Sequence, residues 1–388
     1  MTNPAAMQSI MNDHLTHYAQ HHRLSPQQHN ACQRIDRCRT PALGGHVLHC
    51  GHCHHTQTHY HSCRNRHCPQ CQRQASEQWC EQQCQQLLPV NYHHLVFTLP
   101  HTLNPWAQLH PEVIYQSLFK SAWAALKAFG EDPKRLNGEL GVVAVLHTWG
   151  QTLGQHIHLH CLIPSGAWNA DTHTWQGASP HYLFPVKALS KRFRGAMVSA
   201  LRHQRSAGHL SRITRDFDAT LDTLMTQDWV VHSKPHLNHS AQVLRYLARY
   251  THKTAISDSR ILEHTQNHVT FRYTDYQDRN RPKTMTLSPE EFLRRFLLHI
   301  LPDGFMRIRH YGFLANCCRR KKLEQIRQAL AQTHSTQHDV EGASSNPPAT
   351  NSNPAHAEPA IPCPKCTAGH LSVILILHPD PGRQRGVP

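Results

Sequence analysis

No stretch of this chain approaches the run of about 18 apolar residues that a membrane helix needs, and the mean hydropathy is only −0.58. A membrane-spanning protein is therefore not expected. The first residues, Met1-Thr-Asn-Pro-Ala-Ala-Met7, lack the basic start and apolar core of a secretory signal. Secretion is not expected either, so the cysteines read as thiols or metal ligands rather than disulfides. Aromatic residues are scarce at 7%, and so are acidic ones, with 25 Asp and Glu against 40 Lys and Arg. The resulting formal charge of +15 excludes an acidic chain and points to an anionic partner, of which nucleic acid is the commonest. What is abundant is histidine, 38 residues, together with 14 cysteines, in a length of 388 that suits roughly two domains.

Composition divides the chain. Residues 1–30 read as a polar helical lead-in, and 31–89 hold the dense cysteine region. From 90 to 330, apolar strand-like runs alternate with helical spacing: strands at His94–Leu99, Gly141–His147, His156–Ile163 and Val269–Tyr273, and helices at 105–129, 240–250, 289–298 and 314–330. This pattern predicts one α+β domain. Residues 331–362 are rich in Ser, Asn, Pro and Ala and read as a disordered linker, leaving 363–388 as a tail with half a CxxC-type motif.

Nine of the 14 cysteines lie between Cys32 and Cys84. Cys50-Gly-His-Cys53 and Cys68-Pro-Gln-Cys71 each present two thiolates from one tight turn, and two such turns face to face make a tetrahedral zinc site. Cys38, His46, Cys63 and His67 form the preferred second set, although spacing alone does not settle the pairing. Cys80 and Cys84, four apart on a helix, read as ordinary buried thiols. Arg64, Arg66 and Arg73 flank the cluster and suit phosphate contacts, with plain solvated surface as the alternative.

His156-Ile-His158-Leu-His160 places three imidazoles on one face of a strand, neighbours about 7 Å apart, close enough for two to hold one ion. So histidine-rich a chain also produces this pattern by composition; its setting in an apolar strand favours the metal. Tyr246-Leu-Ala-Arg-Tyr250 puts two phenols on one helical face beside Arg245 and Arg249. Amphipathic packing is one reading of that pair, and attack on a phosphodiester by a tyrosyl oxygen is the other.

In this order the three features resemble the two-tyrosine HUH transposases of the IS-ninety-one insertion-sequence family. The resemblance rests on Cys38–His46, Ser62–Gln72, Leu87–Val90, His94–Pro100, His156–Pro164, Arg245–Ser257, Glu291–Phe296, Leu301–Phe305 and Arg309–Asn316, and covers about residues 20–330. It implies an N-terminal zinc-binding module (31–89), an HUH catalytic domain with an antiparallel sheet and flanking helices (90–330), and a disordered C-terminal tail. It implies His158 and His160 as the metal pair for Mg²⁺ or Mn²⁺, and Tyr246 and Tyr250 as nucleophiles on single-stranded DNA at transposon ends and target. One or two structural Zn²⁺ accompany them. The third ligand is left open between His156, His252 and another group. The implied location is the bacterial cytoplasm, on the nucleoid, with no membrane partner. One departure is His54, which follows Cys53 where glycine is more usual. Cys363-Pro-Lys-Cys366, with His370 nearby, could bind metal weakly, be a remnant, or complete a site in another chain. An HUH replication initiator and a non-catalytic zinc-dependent DNA-binding regulator are the rival classes.

Overall fold

The computed structural model describes residues 6–72, 77–79, 86–179, 182–237, 254–335 and 361–380. Two helices come first, α1 (Ala6–His21) and α2 (Pro26–Asp36). Ser25 caps α2: its hydroxyl accepts the Gln28 N–H, the Gln28 side chain accepts the Ser25 N–H, and Pro26 fills a position where no N–H is needed. A hairpin of β1 (Gly45–Cys50) and β2 (Thr56–Tyr60) follows.

The next elements are β3 (Tyr92–Thr98), α3 (Asn104–Leu109), α4 (Pro111–Gly130), β4 (Gly141–Trp149) and β5 (Gln155–Pro164). The single helical pattern expected over 105–129 is thus two helices. Pro111 cannot donate a backbone hydrogen bond, so the first helix ends before it and a second begins on it. A small hairpin, β6 (Gly166–Asn169) with β7 (Thr174–Gly177), leads to α5 (Val186–Ser206), α6 (Phe217–Thr226) and β8 (Val231–Leu237). After residue 254 come β9 (Ile261–His264), β10 (Val269–Asp275), β11 (Arg281–Leu287), α7 (Pro289–Leu297), β12 (Ile308–Gly312) and α8 (Arg319–Ser335). The last described segment contains β13 (Ile361–Pro362) and β14 (His370–Leu377).

Five antiparallel strands form the central sheet in the order β12-β4-β5-β3-β8. Strand alternation gives its two faces different work. Ile157, Leu159 and Cys161 of β5 join Leu95 and Phe97 of β3 and Ala144 and Leu146 of β4 in the largest core, closed by Leu118, Phe119 and Ala122 of α4 and Phe193, Met197 and Leu201 of α5. On the opposite face, Val143, Val145 and Leu162 pack beneath Leu323, Ile326 and Leu330 of α8. That helix covers only part of the face, and the remainder carries histidines.

A second core joins distant parts of the sequence. Met7, Ile10, Met11 and Tyr18 of α1 and Cys32 and Ile35 of α2 pack with Phe271 of β10 and Phe292, Leu293 and Phe296 of α7. The polar lead-in of the sequence reading is therefore one wall of a core. The three-stranded sheet β11-β10-β9 leans on the N-terminal helices rather than extending the central sheet. Among the described residues no helix is long and apolar enough to cross a membrane.

Candidate functional site

β5 is the middle strand, and its even-numbered residues His156, His158 and His160 lie on the same face as Leu162, which packs with α8. The register sets His147 of β4 directly opposite His158. As a result His147, His158 and His160 present ring nitrogens within 4.8 Å of one another. Their rings meet edge to face, with centroids 4.6 Å apart for His147 and His160 and 4.8 Å apart for His158 and His160. Among the described residues no carboxylate joins this group.

Neighbouring contacts orient each ring. His158 Nδ1 donates to the His156 carbonyl at 2.8 Å, which leaves its lone pair on Nε2. His160 Nδ1 lies 2.9 Å from Nε2 of His94 on β3, with the two rings stacked. His147 stacks on Trp149 at 4.6 Å. Burial pushes the His158 pKa down to about 4, aided by nearby His156, and burial with Lys234, His232 and His158 holds His94 at about 3. Both rings are neutral at pH 7, the form that binds metal. Their donor chemistry and spacing fit a divalent ion of the borderline type that accepts imidazole nitrogen.

His156 falls outside this convergence. Its ring packs against His101 at 5.4 Å, and its carbonyl rather than its imidazole serves the site by holding His158. The residue that the sequence reading missed is His147. It ends an apolar run like any strand-terminal histidine, and only the β4–β5 register reveals its role. On the edge strand β8, His232 lies opposite Val96 and Lys234 opposite His94, so the Lys234 ammonium adds positive charge to the same face. Tyr246 and Tyr250, with Arg245, Arg249 and His252, lie outside the described residues, as do Arg73, Cys80 and Cys84.

The cysteines pair differently from the expectation of two facing CxxC turns. Cys68 and Cys71 join Cys38 and Cys63, and Cys50 and Cys53 join Cys363 and Cys366; each set of four lies within 4.8 Å. The β1–β2 hairpin explains the change. Gly45 faces Tyr60 at its open end, beside Cys38 and Cys63, whereas His49 faces Thr56 near the tip that carries Cys50 and Cys53. Five residues of strand separate the ends by roughly 17 Å, too far for one ion. In the first set, Cys71 Sγ is 3.6 Å from both Cys38 Sγ and Cys63 Sγ. The edge of a tetrahedron of sulfurs about 2.3 Å from zinc is about 3.8 Å. Neither expected histidine takes part. His67 Nε2 accepts the Leu301 N–H at 3.3 Å, and burial beside Arg66 and Arg307 drives its pKa well down. His46 packs edge-on against His61 at 4.6 Å. Cys32 is a core thiol of α2, pushed up to about 12 by burial.

The arginines of this region also divide. Arg66 turns inward and its guanidinium donates to the carbonyls of Leu301, Pro302 and Phe305. Nearby, the Arg307 guanidinium donates to Gln72 Oε1 at 2.9 Å. Both are ties between the cysteine region and the loop before β12. Arg64 is exposed, and with Arg34, Arg37 and Arg39 it lines a cleft of about 940 Å³ that also includes His46, His59 and His61 and no acidic side chain.

Comparison with known proteins decides the family. Residues 10–99 match the family described as “Transposase zinc-binding domain”, and residues 141–322 match the one described as “Putative transposase”. The chain is 42% identical to “Putative transposase y4qJ” of Sinorhizobium fredii over 81% of each protein. It is also 30% identical to “Transposase for insertion sequence element IS801” of Pseudomonas savastanoi pv. phaseolicola, over 76% of this chain and 72% of that protein. The chain belongs to the IS-ninety-one transposase family. As a member it is a DNA-cleaving and rejoining enzyme with an N-terminal zinc-binding domain. No solved structure matches this transposase.

Proposed function

We propose that this transposase cleaves and rejoins single-stranded DNA at element ends through a tyrosyl–DNA intermediate. Convergence of His147, His158 and His160 on one face of the two central strands carries the reading. These three would hold Mg²⁺ or Mn²⁺; when bound, the ion supplies Lewis-acid polarisation of the scissile phosphate. His94 and the His156 carbonyl fix two of the rings, so the nitrogens need not reorganise to bind. Lys234 adds positive charge that draws a phosphate to this face.

Tyr246 or Tyr250 is the nucleophile of the proposal. The described chain resumes at Thr254, and the Arg260 guanidinium donates both to the Ala255 carbonyl and to the Gln151 carbonyl in the β4–β5 turn. That arginine ties Ala255 to the turn between His147 and His156. Attack forms a bond from tyrosyl oxygen to phosphorus and breaks the bond from phosphorus to O3′. The products are a 5′-phosphotyrosine and a free 3′-hydroxyl. A phosphodiester replaces a phosphodiester, so rejoining by a 3′-hydroxyl needs no nucleoside triphosphate. Two tyrosines would let one strand stay attached while another is cut. The arginine-lined cleft offers a path for the DNA backbone, and zinc on Cys38, Cys63, Cys68 and Cys71 would shape its floor.

The test is incubation of the protein with labelled single-stranded DNA carrying the element's ends and Mn²⁺. An SDS-resistant adduct that is absent in the Tyr246→Phe/Tyr250→Phe protein supports the reading. No adduct with the correct ends overturns it.

A further inference from the structure

The match to the zinc-binding domain ends at residue 99, yet two of the eight clustered cysteines lie beyond 360. We propose that Cys50, Cys53, Cys363 and Cys366 form a second zinc site, made half by the N-terminal domain and half by the C-terminal segment, which locks β14 onto β1.

Sulfur geometry comes first. Cys50 Sγ is 3.8 Å from Cys366 Sγ, and Cys53 Sγ is 3.7 Å from Cys363 Sγ. These separations match the tetrahedral edge of about 3.8 Å around zinc and greatly exceed a disulfide bond of about 2.05 Å. Four thiolates and no oxygen ligand select a soft tetrahedral ion.

The two halves also repeat one another. His54 N–H donates to the Cys50 carbonyl at 3.0 Å, and Thr367 N–H donates to the Cys363 carbonyl at 3.0 Å. His54 and Thr367, each directly after the second cysteine of its pair, take left-handed conformations with φ of 56° and 55°. Two segments more than 300 residues apart thus adopt the same ligand turn (the Cys53–Cys363 separation is 310). For non-glycine residues that conformation costs of order 1 kcal/mol, which a bound ion would offset.

The fit between the halves is close. Gly369 N–H points at Cys366 Sγ, 3.4 Å away, and a Cβ on Gly369 would stand 2.6 Å from Cys50 Sγ and 2.7 Å from His52 Cβ. Beyond the site β14 pairs antiparallel with β1, from Cys50 opposite Leu371 to Gly45 opposite Leu377. The ion would therefore hold the first rung of that ladder. Cys53 and Cys366 are only partly buried, whereas the other four-cysteine set is buried throughout, so this site is the first to yield metal to a chelator.

Metal counting on the full chain tests the proposal independently of strand cleavage. With the histidine site held in excess Mn²⁺, the protein should hold two zinc ions per chain, Cys363→Ser/Cys366→Ser one, and Cys50→Ser/Cys53→Ser one. Combining the four substitutions should also leave one, because both pairs serve the same ion. Retention of two ions without Cys363 and Cys366 would overturn the proposal, and so would none in the fourfold variant. Hydrogen exchange on the unmutated protein avoids any folding defect of the variants. A chelator that removes one zinc should speed exchange in 370–377 and 45–50 while 141–164 stays protected. Loss of that zinc with no change in 370–377 would also overturn it.

Discussion

Arg64 and Arg66 are two residues apart and have opposite surroundings, so their alanine variants should fail in different ways. Arg66 is half-buried and donates to three backbone carbonyls in the loop before β12. Removing it strands those acceptors and cuts a tie between the zinc-binding domain and the central sheet. A hydrogen bond from a charged donor is worth about 1.5–3 kcal/mol. Because the three acceptors share one half-buried group, the loss in Arg66→Ala should total about 2–4 kcal/mol. In a protein of this size that is a fall in Tm of roughly 2–5 °C. Arg64 is exposed on the cleft, and its loss should leave Tm within about 1 °C. It should instead weaken DNA binding and flatten the plot of log affinity against log salt by about 0.7, the share of one single-strand phosphate contact. Differential scanning fluorimetry and a salt series of fluorescence-anisotropy titrations on one oligonucleotide measure both quantities. An Arg66→Ala protein of unchanged Tm, or an Arg64→Ala protein of unchanged salt slope, would refute the division of roles.

Two further outcomes follow from the buried histidines. His147→Ala should raise the Mn²⁺ concentration needed for adduct formation at least tenfold, by removing one of three nitrogen donors, while His156→Ala, which keeps its carbonyl, should change it far less; equal effects would show that the register argument is wrong. His299 is buried between Thr148 and the Leu153 carbonyl, and burial lowers its pKa to about 4. The folded protein keeps this ring neutral while the unfolded chain binds a proton below about pH 6.5, so its effect is nil above that pH. Stability should then fall by about 1.4 kcal/mol per pH unit, reaching about 3 kcal/mol near pH 4. Urea titrations at pH 7 and 5 should show a shallower loss in His299→Gln than in the unmutated protein, and parallel losses would exclude the histidine as the cause.

The local parts of this structure were legible in the sequence. The apolar–histidine alternation of 156–163 foretold both faces of β5, and the two CxxC turns announced zinc chemistry, because a strand's period and a ligand turn are set within a few residues. Pairings across distance were not legible. Cys50 and Cys53 take partners more than 300 residues away, and no spacing rule distinguishes a turn at the tip of a hairpin from one at its base. His147 was missed for the same reason, since inter-strand register is a property of two strands. The α1 face was readable but overlooked. Met7, Ile10 and Met11 stand at i, i+3 and i+4, but glutamine and histidine between them masked the stripe. Arg66 shows the limit of reading charge, because a guanidinium that ties backbone carbonyls looks the same in sequence as one that meets phosphate.

The pairing of β1 with β14 also sets an order of events during synthesis. β1 and its hairpin partner leave the ribosome early, but the strand that covers the other edge of β1 follows some 310 residues later. At bacterial and eukaryotic elongation rates of about 5–20 residues per second, that is a wait of roughly 15–60 s. Throughout it the outer N–H and C=O groups of β1 stay open to any extended segment, including β14 of a neighbouring nascent chain. Completing the sheet is a late, long-range step, and exchange of β14 between chains made on one message competes with it.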